Sequence, residues 1–81
     1  MQAINYVKKI QGDTIEALTP SGIKLAQMVV AAHGGIRETK KRTGVDIGVS
    51  TITKIVNGGN KGLFTYRSWE IFFNTLILKT A

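Results

Sequence analysis

Apolar side chains fall at helical spacing in three stretches of the chain. Ile23, Leu25, Ala26, Met28, Val29, Val30 and Ala32 give a helix apolar over most of its surface, which predicts a central place in the core. Thr19 is placed to cap that helix and Pro20 to open it, where a missing N–H costs nothing; Gly34-Gly35 end it. Ile52, Ile55 and Val56 form an i, i+3, i+4 set on a second, shorter helix. Val49 or Ser50 opens this helix and Asn57-Gly58-Gly59-Asn60 closes it. Trp69, Ile71, Phe72, Phe73, Leu76, Ile77 and Leu78 mark a third helix over residues 68–79, with Ser68 as its cap. Between the first two lies a polar segment, residues 36–43, predicted as a short helix stopped by Gly44. A turn containing Val45, Ile47 and Gly48 follows it.

Residues 1–18 support two readings. Ile4, Val7 and Ile10 share a helical face, and Asp13 with Glu16 has the spacing of a capping box. Yet residues 4–7 and Thr14-Ile15 are β-prone, with Gln11-Gly12-Asp13 as a hairpin turn between them. No repeat, low-complexity tract or linker divides the 81 residues. The expected fold is therefore a single, mainly α domain of about four to five helices, its N-terminal segment a short helix or a β-hairpin.

Composition narrows the function classes. With 43% hydrophobic and 20% charged residues, the chain can build a core and does not read as disordered. It contains no cysteine, which removes disulfides, thiolate metal sites and a cysteine nucleophile. His33 is the only histidine, with no second imidazole to complete a metal site; it stands at a helix end that favours positive charge. The acids are scattered and no histidine–nucleophile pair is evident, so no enzyme, cofactor or small-molecule ligand is expected. Residues 1–10 lack the apolar core of a signal peptide, and the longest apolar runs are too short to cross a bilayer. The sequence reads as a soluble cytoplasmic protein.

Charge is more informative in its placement than in its total of +6. Between residues 37 and 67 lie Arg37, Lys40, Lys41, Arg42, Lys54, Lys61 and Arg67, opposed only by Glu38 and Asp46. That segment holds five of the six net charges, and a one-sided positive field attracts polyanions, nucleic acid above all. Arg37, Lys40, Lys41, Arg42 and Thr51 are the corresponding phosphate-contact candidates. Residues 36–57 form a short basic helix, a glycine-containing connection and a second helix. The face of that second helix away from Ile52, Ile55 and Val56 shows Ser50, Thr51, Thr53, Lys54 and Asn57. Short polar groups and one long cation, with no acid among them, suit entry into a major groove.

Over Gly44-Val45 and the run Ser50-Thr51-Ile52-Thr53-Lys54-Ile55-Val56-Asn57-Gly58, the chain resembles the helix-turn-helix of phage Cro and C-repressor proteins and related bacterial regulators. Residues 64–76 resemble the closing helix of that fold, and the likeness spans roughly residues 22–76. Carried over by position, the resemblance implies Val49, Ser50, Thr53 and Lys54 at base edges, and Asn57, Asn60 and Lys61 near phosphates. Two departures stand out. The connection is about two residues longer than in that family, and the family's small residue in the supporting helix falls near Lys40 or Arg42.

The implied function is a sequence-specific regulator of transcription that binds double-stranded DNA, of the phage or plasmid repressor type. An architectural or recombination accessory protein, and an interaction module such as an antirepressor, are the alternatives. The apolar surface of the last helix exceeds what one small domain can cover. Trp69, Phe72, Phe73, Leu76 and Ile77 read as core by default, but Ile71 and Leu78 extend the apolar surface nearly around the helix. Trp69, Ile71, Phe72, Phe73 and Leu78 are thus the candidate interface of a twofold dimer, aided by residues 1–10. A dimer would read a palindromic operator.

Overall fold

A computed structural model describes residues 2–78. The chain begins with a 3-10 turn, Ala3–Tyr6, and a hairpin of β1 (Val7–Gln11) and β2 (Thr14–Leu18). Four helices follow: α1 (Pro20–Ala32), α2 (Ile36–Thr43), α3 (Val49–Val56) and α4 (Tyr66–Phe72). A two-residue strand β3 (Phe64–Thr65) precedes α4, and Phe73–Leu78 continues it as a π-helical segment. The mainly α class therefore comes with a small three-stranded antiparallel sheet, ordered β1-β2-β3, that the sequence pattern did not announce as such.

Of the two readings of the N-terminal segment, the hairpin forms. Gln11 pairs with Thr14 across a turn led by Gly12 at φ 63°. Register shifts between Val7 and Ile10 break the alternation of faces, so that Ile15 and Leu18 both end buried although they stand three positions apart. Ile4 and Ile10, which the helical reading placed inward, are exposed. Burying the β2 residues against the helices wins over the weak helical spacing.

α1 follows the pattern closely. The Thr19 hydroxyl accepts from the Gly22 amide at 3.1 Å and Pro20 occupies the first position. At its other end, the Gly35 amide reaches back to the Val30 carbonyl and the Gly34 amide to that of Ala31, closing a Schellman motif. α3 begins at Val49, one of the two expected openers, with Gly48 before it and no side-chain cap; Ser50 is exposed one residue in. The start of α4 differs from expectation. α4 begins at Tyr66, capped by Thr65, whose hydroxyl accepts from the Ser68 amide at 3.1 Å. Ser68 is thus the capped residue, because the β3 pairing to β2 holds Thr65 extended. Residue 79, the expected end of the last helix, lies outside the described residues.

The core runs between the sheet and all four helices. Trp69, Phe72 and Phe73 are fully buried there with Ile15, Ile52 and Ile55. This corrects the interface assignment of Trp69, Phe72 and Phe73: all three are enclosed in the core, with the N-terminal segment lying against Trp69 and Phe73. The Trp69 indole N–H donates to the Ala3 carbonyl at 2.8 Å, and the Tyr6 ring lies 5.5 Å from that of Phe73. Of the set, Ile71 is half-buried and Leu78 exposed. Met1, part of the segment expected to aid pairing, lies outside the described residues.

Replacing Trp69 by Phe keeps an apolar ring but strands the buried Ala3 carbonyl. The Trp69→Phe variant should lose about 2 kcal/mol of stability in urea denaturation followed by circular dichroism. A loss below about 0.5 kcal/mol would show that the indole bond does not hold the N-terminal segment in place.

Candidate nucleic-acid interface

α2 and α3 are each eight residues long, pack on one another and on α1, and are joined by residues 44–48. Gly44 ends α2 in the left-handed region at φ 64°, its amide bonded to the Lys40 carbonyl. Val45 and Ile47 then plug into the core. Both polar backbone groups of Val45 are held by side chains of α2. Its amide donates to the Thr43 hydroxyl at 3.2 Å, and its carbonyl accepts from the Lys40 ammonium at 2.7 Å. Apolar anchors and paired backbone groups keep this connection compact.

The structure sorts the basic run of α2 into different fates. Thr39, fully buried, makes the close contact with α1: its hydroxyl donates to the Gly35 carbonyl at the start of its own helix at 2.7 Å and lies 3.5 Å from the Val30 carbonyl of α1. The residue of α2 that packs against α1 is thus Thr39, while Lys40 is half-buried and Arg42 exposed. Lys40 is half-buried and tied to Val45, so the phosphate role expected for it gives way to a structural bond. Arg42 is exposed but pairs with Glu38 at 3.4 Å, one turn back. Arg37 and Lys41, four residues apart, are exposed on the outer ridge of α2.

On α3, Ile52 and Ile55 are fully buried, and the helical repeat puts Ser50, Thr53, Lys54 and Asn57 on the opposite side. Ser50 is exposed; Thr53, Lys54 and Asn57 are half-buried. Val49 and Thr51 are half-buried on the flanks, so Thr51 does not share the face of Ser50. Two polar groups of this face are already engaged along the helix. The Thr53 hydroxyl donates to the Val49 carbonyl at 3.0 Å, and the Asn57 side-chain amide donates to the Thr53 carbonyl at 2.7 Å. Among the side chains of this face, Ser50 and Lys54 keep the freest polar tips.

The loop after α3 completes the surface. The Gly59 amide bonds to the Lys54 carbonyl and the Gly58 amide to that of Ile55, a second Schellman motif. Leu18 donates to the Gly58 carbonyl at 3.2 Å, stitching this end to β2. A side chain at Gly59, where φ is 95°, would overlap the Glu16 carbonyl. Further on, Gly62 lies against the aliphatic stem of Lys54, which brings exposed Asn60 and Lys61 beside α3. Thr39 and Gly62 belong to this region and were missed from sequence. Their placement follows from packing between elements, and only the run of glycines hinted at a close approach.

His33 donates from Nδ1 to the Val29 carbonyl at 2.8 Å in the matching tautomer. Among the described residues there is no group of three or more His, Cys, Asp or Glu placed to hold a metal ion, no pocket, and no helix long and apolar enough to cross a membrane. No protein-family model, curated protein or solved structure matches the chain.

Two glycine substitutions should separate open strain from steric overlap. Nothing lies within 4 Å of a side chain built at Gly44, so Gly44→Ala should cost about 1 kcal/mol through its φ alone. Gly59→Ala should cost about 3 kcal/mol or more, because the Glu16 backbone cannot yield cheaply. Paired thermal melts check the ranking, and equal costs would contradict the stitching of this loop to β2.

Proposed function

We propose that this chain is a helix-turn-helix protein that binds double-stranded DNA, with α3 as the helix entering the major groove and α2 supporting it. One observation carries the reading: the outer side of α3, with Ser50, Thr53, Lys54 and Asn57, bears no acid, and the ridge of α2 beside it carries Arg37 and Lys41. Short side chains allow close approach to base edges, and the flanking cations meet phosphates. None of the four is buried. In this role Ser50 and Lys54 read bases, Val49 and Thr53 fit the groove wall, and Arg37, Lys41, Asn60 and Lys61 neutralise or bond phosphates. Arg42 contributes less, because Glu38 already pairs with it.

The biological role we assign is transcriptional repression of the phage or plasmid type, by two chains on an inverted repeat. It calls for no cofactor and no catalysis. A second reading, DNA binding with little base discrimination, draws support from one feature. Thr53 and Asn57 spend donors on their own helix backbone, leaving few for base edges.

Selection of binding sites from a random duplex pool, followed by anisotropy titrations across salt, tests the proposal. Lys54→Ala should lose about 1–3 kcal/mol on selected sites and little on random duplex. Lys41→Ala should weaken every sequence alike and reduce the salt slope by about one. Lys40→Met should leave the slope unchanged while lowering affinity, since its ammonium holds the connection. An enriched inverted repeat supports the repressor reading, and equal affinity for all duplexes supports the second. Absence of salt-dependent duplex binding would reject both and favour a protein-interaction module.

A further inference from the structure

We propose that two copies of this chain pair antiparallel along α1, in a twofold seam centred on Met28. The proposal names the face through which the paired chains of the preceding section meet, and only its use on an operator rests on that reading. Met28 is 58% exposed, the most exposed of the large hydrophobic side chains among the described residues. The helical repeat aligns it with Ser21, Leu25 and Ala32 at steps of four, three and four, the spacing of a seam between two helices. Ser21 and Ala32 are exposed and Leu25 is half-buried, with exposed Ala31 at the margin. A bulky centre with small ends lets two helices approach closely without overlap.

Charge selects both the occupant and its direction. α1 carries one charged side chain, exposed Lys24, and no acid. In a parallel pair the two Lys24 ammonium groups would face one another. In an antiparallel pair centred on Met28, position 24 of one copy faces position 32 of the other. Each cation then stands near the carbonyl end of the opposite helix, where positive charge is favoured. The same face is thus complementary to itself under a twofold axis, as an isologous contact requires.

Other surfaces are less suited. Ile4, Ile10, Leu63 and Leu78 are exposed one at a time, on three separate elements and the loop before β3. The outward positions of the C-terminal segment carry Arg67, Glu70 and Asn74. The free edge of β1 bears Lys8 and Lys9 and a break in register, both of which discourage strand addition. A seam the length of α1 is about 20 Å, at the small end for a specific interface, so the pair should be reversible in the micromolar range.

Sedimentation velocity should show wild-type protein passing from monomer to dimer with concentration. Met28→Lys should remain monomeric over the same range with an unchanged circular dichroism spectrum. Because the chain has no cysteine, Met28→Cys should cross-link to its mate on mild oxidation, whereas Asn74→Cys should not. A wild type that stays monomeric at millimolar concentration, a Met28→Lys dimer, or equal cross-linking at both positions would overturn the proposal. None of these measurements contains DNA, so failure of DNA binding leaves their outcome unchanged.

Discussion

The backbone of Gly59 rests against the Glu16 carbonyl, and this contact fixes where α3 ends relative to the sheet. Leu18 bonds to the neighbouring Gly58 carbonyl, so the loop after α3 is joined to β2 at two successive residues. The buried Ile52 and Ile55 hold the rest of the helix on the core. Rotation of α3 about its axis would expose one of these isoleucines and break the Schellman closure together. The orientation of Ser50 and Lys54 toward solvent is therefore a consequence of how the hairpin meets the helices. A small sheet, which no helical motif requires, sets the orientation of α3.

A similar economy operates in α2. Three consecutive cations, Lys40, Lys41 and Arg42, have the same formal charge but different surroundings. One holds the connection to α3, one is free at the outer ridge, and one is paired with Glu38. Counting basic residues overstates the field such a helix offers to a polyanion. The ammonium of Lys40 does its work by fixing a carbonyl of the chain, a role that depends on the long connection folding back toward α2.

Signals confined to a few residues were legible in the sequence. Thr19-Pro20, Gly34-Gly35, Gly44 and Gly58 each marked a helix boundary that forms as expected, because capping is decided by local backbone geometry. The inward set Ile52 and Ile55 was equally clear. What escaped depends on elements far apart in the chain. Thr65 became a cap and β3 a strand because β2 lies beside them, and the Tyr66 amide reaches the Asp13 carbonyl across the sheet. Trp69, Phe72 and Phe73 read as core by default yet also entered the candidate interface, because nothing in their own neighbourhood revealed that Ala3 would bond to Trp69 and Tyr6 would lie on Phe73. The base-edge and phosphate candidates on α3 were readable as a face. The hydrogen bonds that commit Thr53 and Asn57 to the helix itself were not.

The single tryptophan gives this protein an internal optical reporter. Its indole is fully enclosed, bonded to a carbonyl from the opposite end of the chain and flanked by two phenylalanine rings 5.9 and 5.7 Å away. Emission from such a site lies toward the blue and moves red only when water enters the core. Because Trp69 lies on α4 and not on the outer side of α3, its emission reports on the enclosure of the core.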